Sequence, residues 1–355
     1  MNITVLDNNF CAKCILDEYE SFIWVDKFYE PGTFELYTKV TNYILSNIKA
    51  DDFLQIPESE HTMIVEDISI ESDIESGDHI KIVGRSLESM LDRRIVWTQT
   101  NLETALYSGI KKLLDDAIVN PLIAERKINE FTYKLADTDL DAKIRALTMD
   151  HQYTGDNLLD IVTDLCSENK IGYKITLNRY NQFVFELYSG ENRTYEQDKN
   201  PFVVFSPSYG NIINSNYTEK SSVVKKVALV AGEGEGTSRI TSTVGSASGF
   251  TRKEVYVDAR DIRKENLDTN KYKAKLNSKG LDKLNEINKD RKEIDGKCDT
   301  STLYKYGRDF FLGDIVQIEN EYGMESPSRV TEFTWSSSSS GLETYPTFAT
   351  EEEES

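Results

Sequence analysis

Short runs of alternating apolar and polar residues dominate the first hundred positions of the chain. Phe34, Leu36 and Val40 fall at even spacing in 33–40, which puts them on one face of a half-buried strand, and Pro31-Gly32 supplies the turn before it. Residues 3–5 and 22–25 carry the same β-rich signature. Stretches 63–70 and 80–83 read as an antiparallel hairpin with a long polar tip containing Ser76-Gly77-Asp78. The period then changes. After Gly84, expected to end the strand, Leu87, Met90 and Leu91 recur at three and four residues, as the apolar face of a short helix requires.

Between 101 and 121 the residues Leu102, Ala105, Leu106, Ile110, Leu113, Leu114, Ala117 and Ile118 keep helical spacing, and Asn120-Pro121 stops it. A strand at 131–135 follows, then a second helix over 157–168 with Asp156 as its cap. Stretches 171–175 and 183–188 pair around a turn at 178–182. Further strands are expected at 202–205, 223–230, 254–257, 314–318 and 329–335. Between them a charged helix spans 278–294, with Leu281, Leu284, Ile287 and Ile294 as its buried stripe and Gly296 as its end. Ser336 to Ser340 suits a loop, and Glu351 to Glu354 a disordered acidic tail. No internal repeat recurs at a fixed period.

Composition sharpens this picture in three respects. At 355 residues, with 39% hydrophobic and 10% aromatic residues, the chain has material for two to four compact, strand-rich units. The formal net charge of −20, without a Lys/Arg-rich run, disfavours tight nucleic-acid binding. It suits a wall past which DNA slides, and is equally ordinary for a soluble protein. The first residues lack a basic region followed by an apolar run, and no stretch of about 18 apolar residues occurs, so neither a signal peptide nor a membrane span is expected. Four scattered cysteines make no disulfide framework and leave a reducing cytoplasm as the expected site of folding.

Candidate chemistry is sparse. Cys11 and Cys14 supply one thiolate pair where zinc needs four ligands, and Cys166 and Cys298 have no ligating neighbours in sequence. Asp137, Asp139 and Asp141 alternate as a calcium loop begins, but Ala142 and Thr148 stand where such a loop needs Gly and Glu. The loop of Gly232, Gly234 and Gly236 lacks a following Lys-Ser or Lys-Thr, and Glu233 and Glu235 would repel a phosphate. Neither a Gly-x-Ser-x-Gly elbow nor a His-Glu-x-x-His helix occurs, and His61, His79 and His151 have no recognisable partner pattern. No catalytic, cofactor or metal residue is assigned. Arg85, Arg93 and Arg94 cluster beside the Leu87 face, either as an anion or partner site or as surface pairs to the many carboxylates.

The ordered landmarks carry more than any single motif. Pro31-Gly32-Thr33-Phe34-Glu35-Leu36, Ile82-Val83-Gly84-Arg85-Ser86-Leu87-Glu88 and Arg93-Arg94-Ile95-Val96 resemble the front half of siphophage tail-hub proteins. Gly155-Asp156-Asn157-Leu158-Leu159, Ile171-Gly172-Tyr173, Val230-Ala231-Gly232-Glu233-Gly234-Glu235 and the stretch 252–261 continue the match. Leu312-Gly313-Asp314-Ile315-Val316 and Tyr345-Pro346-Thr347-Phe348 close it. Over nearly its whole length the chain resembles the siphovirus "gene product thirty-seven-like" tail family.

The resemblance implies a β-rich α+β fold: two β-barrel-like tail-hub domains with an α+β insertion and a helical insertion. It divides the chain into a first barrel at 1–100, an α+β insertion at 101–200, a second barrel at 201–262 and 302–348, part of which returns to the first or stays separate, a helical insertion at 263–301 and a tail at 349–355. It also implies a homotrimeric baseplate or tail-tip hub that closes the tail tube. Its partners would be the distal tail protein, the tape measure protein and tip or fibre proteins, with DNA passing through unbound. The expected location is the virion, after assembly in the bacterial cytoplasm. Arg85, Arg93 and Arg94 then become interface candidates. The alternatives are a cell-wall-degrading tail enzyme using carboxylates, or a receptor- or carbohydrate-binding tail protein using some of the 19 tyrosines.

Overall fold

The alternation in the first hundred residues becomes seven strands: β1 (Ile3–Leu6), β2 (Ala12–Leu16), β3 (Ser21–Lys27), β4 (Thr33–Lys39), β5 (Phe53–Gln55), β6 (Thr62–Glu71) and β7 (His79–Ser86). The computed structural model describes residues 1–75, 77–264, 267–288, 292–298, 300 and 303–351. In β3 and β4 every second side chain is buried, Phe22, Trp24 and Asp26 in one and Phe34, Leu36 and Thr38 in the other. β6 and β7 form the expected hairpin, with Met63 opposite Ser86 at one end and Glu71 opposite His79 at the other. Ser76, in its expected tip, lies outside the described residues.

These strands do not stand apart from the C-terminal ones. β3 pairs with Glu325–Ser338, Trp24 opposite Trp335. Through that strand the sheet continues to Ile315–Glu319 and Val204–Phe205, while Gly341–Thr350 also pairs with Glu325–Ser338. Eleven strands result, with β4, β7, β6, β5, β1 and β2 following β3 on the other side. The β-rich α+β class is therefore present, but among the described residues the strand order is open and no closed barrel forms. Backbone pairing between distant segments leaves no compositional mark, so the merger of the two β-rich blocks is invisible in the local pattern. Ser336 to Ser338, expected in a loop, end the long strand instead, because Ser336 lies opposite Ile23 and Ser338 opposite Ser21. Ala349 and Thr350, expected in the tail, extend a strand, and Glu351 pairs with Arg329 and Lys170; residues 352–355 lie outside the described residues.

The region 101–200 mixes helices and strands as expected, with two corrections. Thr100–Ala105 is a strand paired with Thr148–Tyr153, so the helix starts only at Leu106 and runs to Leu114, followed by a π-helical turn over Asp115–Val119. The second helix is Leu158–Glu168, and its cap is Asn157: Oδ1 of Asn157 accepts from the amides of Leu159 and Asp160, while Asp156 accepts from Thr154 N. Gly172–Leu177 and Phe183–Tyr188 pair around the expected turn, which Asn178 closes by accepting from Tyr180 N and Gln182 N. Leu87, Met90 and Leu91 share one core with Leu106, Ile110, Leu158, Val162 and Ile175.

The chain divides into two compact units, Met1–Ser215 with Gly296–Ser355 and Asn216–Asp295. In the smaller unit, Val227–Ala231 pairs antiparallel with Thr241–Val244 and parallel with Glu254–Asp258. Its helix is Thr269–Asn288, not 278–294, and Lys292–Cys298, where the helix was to end, is a strand. Asp268 caps the helix by accepting from Asn270 N and Lys271 N, and Asn288 fixes its far end with bonds to both backbone groups of Lys225. The buried stripe is Tyr272, Leu276, Gly280 and Leu284, while Leu281 is 49% exposed. Gly280 sets that choice: a Cβ there would meet Val230 Cγ2 at 2.5 Å, so the bare backbone faces the strands. The helix expected as an insertion thus shares a core with Ala228, Val230 and Val244.

Candidate assembly surface

The stretch Gly84 to Arg94 joins the main sheet to the α+β region. Gly84 does not end its strand; β7 runs on to Ser86. A Cβ at Gly84 would lie 1.8 Å from Ile64 O and 2.8 Å from Phe34 Cε1, where β6 carries a bulge between Val65 and Asp67. Glycine is required there by close approach. Ser86 Oγ then accepts from Gly32 N at 2.7 Å, and the short 3-10 helix Leu87–Arg93 begins.

That helix buries a carboxylate along with its leucines. One Glu88 oxygen accepts from Ile175 N at 2.7 Å and lies 3.4 Å from His61 Nδ1. Nearby, buried Asp26 accepts from Trp24 Nε1 at 2.8 Å and from Ser59 Oγ at 2.7 Å. Asp26, His61 and Glu88 are 1%, 4% and 1% exposed, so no substrate reaches them. Burial pulls the imidazole down, but Asp26 and Glu88 outweigh it and push His61 up to about 9. Burial raises Asp26, whereas the His61 contacts outweigh burial at Glu88 and lower it. The cluster is a sealed ionic core. Its bonds tie the 3-10 helix to the strand that carries Ile175.

The three arginines separate in space. Arg85 grips Glu66 through Nε and Nη2, both at 2.9 Å, and reaches Asp92 at 2.9 Å; the Glu66 bonds raise its pKa further. Arg93 pairs with Asp51 at 2.8 Å. Arg94 instead donates to the backbone carbonyls of Arg93 and Arg126, and its buried Nε has no partner. Burial and the charges of Arg126 and Arg93 depress it. Among the described residues, Arg94 and Arg126 form no ion pair. Two of the sequence candidates, Arg85 and Arg93, are thus engaged within the chain, and Arg94 leads to a surface that the pattern missed.

That surface is a groove of about 320 Å³ lined by Ile95, Trp97, Leu113, Ala117, Leu122 and Arg126, among others. Arg126 donates to Ile95 O at 2.7 Å and lies over the Trp97 ring, 5.4 Å from its centroid. Trp97 is 56% and Leu122 86% exposed. The π-helical turn shapes the opposite wall. Asn120 N reaches back to Asp115 O at 2.8 Å, and Tyr133 donates to Asp115 Oδ1 at 2.9 Å. The available signal was a bulky residue outside any stripe: Trp97 follows the last strand-like position and Leu122 follows Pro121.

A second exposed feature is the outer half of the β6–β7 hairpin. β5 covers β6 only from Thr62 to Ile64, so among the described residues Asp67 to Glu71 form a free edge. Ile70 is 52% and Ile74 fully exposed, with Glu71 and Glu75 exposed beside them. The remaining sequence candidates are structural. Asp141 caps the short helix Ala142–Ala146, Asp139 closes a turn on Ala136 N, and Gly232 O accepts from Arg239. Among the described residues no group of three or more His, Cys, Asp or Glu is placed to hold a metal ion, and no helix is long and apolar enough to cross a membrane.

Solved phage tail proteins share this architecture along its full length. A tail protein from Neisseria meningitidis superposes with a TM-score of 0.63 at 11% identity, covering 99% of this chain and 96% of its own. The 43 kDa tail protein of prophage MuSo2 from Shewanella oneidensis gives 0.63 at 10% identity, covering 98% of both chains. Prophage tail protein gp18 from Listeria monocytogenes gives 0.57 at 12%, covering 100% and 96%. The fold is therefore that of phage tail proteins. The chain belongs to the Siphovirus ReqiPepy6 Gp37-like protein family, which it matches over residues 2–348. No curated protein matches it in sequence.

Proposed function

We propose that this chain is a structural protein of the phage tail tip: a homotrimeric hub that closes the tail tube, joins the distal tail ring and tape measure protein to tip or fibre proteins, and lets DNA pass. The observation that carries the reading is family membership over residues 2–348 combined with a tail-protein fold along the whole chain. Charge supports it. A net of −20 presents no cation trap to a passing polyanion. In this reading the eleven-stranded sheet belongs to the ring, the region 101–200 packs outside it, and the work is done by geometry without catalysis. The sealed Asp26–His61–Glu88 cluster supports the non-enzymatic part, since its imidazole is buried with both carboxylates.

Gold-labelled antibody on intact virions tests this directly, together with capture of the distal tail protein by the purified chain. Label at the tail end farthest from the capsid and a stable complex are expected. Label elsewhere, or particles that lack the chain, would end the hub reading.

A further inference from the structure

We infer that the outer β6–β7 arm of one copy docks into the Trp97–Arg126 groove of a second copy, so that the protein assembles head to tail. The inference deepens the hub reading by naming the contact between its subunits. Complementary chemistry carries it. The groove offers exposed Trp97 and Leu122 beside Arg126, whose guanidinium makes no ion pair among the described residues, while Asp116, which also lines it, is taken by Lys112 at 2.8 Å; Arg94, outside the lining, donates to Arg126 O. In a chain with 61 acidic residues, an arginine without an ion pair among the described residues beside exposed apolar groups needs a reason. The arm offers the matching set: Ile70 and Ile74 exposed, with Glu71 and Glu75 beside them.

The arm is built to present these residues. Asp73 Oδ1 accepts from Glu75 N at 2.7 Å, and its carbonyl accepts from Gly77 N at 2.9 Å, which closes the turn carrying Ile74. It is also held away from its own groove. β7 pairs with β4 from Thr33 opposite Arg85 to Lys39 opposite His79, so it cannot bend back. The groove begins beyond the Ser86 end, where Arg93 is tied to Asp51 and Asp51 N to Val65 O. Seven residues of strand separate that end from His79, a span of about 23 Å. A second copy supplies what the same copy cannot. Because arm and groove are different surfaces, the contact is heterologous and closes only as a ring.

Ile74 and Leu122 are 105% and 86% exposed, so Ile74→Asp and Leu122→Asp leave folding intact, which circular dichroism melts verify. Sedimentation of the full chain should show wild-type oligomers and monomers for each variant alone, a roughly threefold fall in mass for a three-membered ring. A mixture of the two variants should give dimers and nothing larger, since one intact arm still meets one intact groove. Wild-type chain that stays monomeric up to its solubility limit overturns the contact. So does Leu122→Asp dispersing an oligomer that Ile74→Asp leaves whole, which would mean that something other than the arm fills the groove. Monomers whose label still marks the tail tip would sink the contact and spare the hub; oligomers absent from the tail would do the reverse.

Discussion

Arg85 and Arg94 stand nine positions apart and have opposite fates. Arg85 meets two carboxylates and is locked against the sheet, whereas Arg94 meets only the backbone carbonyls of Arg93 and of Arg126, the arginine that lines the exposed groove. The same contrast holds for the carboxylates: Glu88 is sealed with His61, while Glu71 and Glu75 stand in solvent on the arm. What a charged side chain does here depends on whether the fold brings it an opposite charge. Clustering in sequence does not decide it. A charge left without a partner beside exposed apolar groups marks surface available for a contact.

The contrast breaks most severely at the sealed end. Glu88→Ala removes one of the two carboxylates that hold the buried imidazole charged and strips Ile175 N of its acceptor, so denaturant titration should show a loss of about 3–5 kcal/mol. The pH dependence follows from His61. Its folded value of about 9 lies above the ordinary 6.5, so its contribution is complete below 6.5 and fades as pH rises through 9. The denaturation midpoint should therefore fall across that window, and His61→Gln should flatten the slope; a wild-type midpoint constant from pH 6.5 to 9 would refute the charged cluster.

A smaller effect is expected at the junction between the two regions. Asn157 caps the helix Leu158–Glu168 and donates to Asp92 Oδ1 at 2.9 Å, so Asn157→Ala should cost about 1 kcal/mol in the same titration. Least of all should change at Arg93, whose pair with Asp51 is half-exposed on both sides: Arg93→Ala should move stability by less than about 1 kcal/mol. A loss there comparable to that at Glu88 would erase the distinction between locked and solvated pairs.

Local pattern revealed elements that depend on neighbours in sequence and missed those that depend on distant partners. The hairpin of β6 and β7, the turn at Asn178 and the apolar face of Leu87, Met90 and Leu91 were legible because period and turn chemistry agree there. Leu102 was misplaced in a helix because its spacing to Leu106 fits one, and its strand partner His151 lies 49 residues away. Ser336 to Ser338 look like a loop until β3 is set beside them. At Gly280 the smallest side chain chose the buried face against the stripe that Leu281 suggested. The arginine cluster drew notice to Arg94, but Trp97 and Arg126 meet only after the chain between them has folded.

The pairing of β3 with Glu325–Ser338 also sets the order in which the chain can mature during synthesis. β3 emerges from the ribosome about 300 residues before its partner, and at about 5–20 residues per second its free edge stays open for tens of seconds. The smaller unit, whose three-stranded sheet and helix lie within Asn216–Asp295, can fold in that interval, because its contacts are local. The larger unit must wait for its last strands. Truncation before Glu325 therefore leaves a templating edge exposed, and aggregation of such fragments is the expected cost of building the main sheet from both ends of the chain.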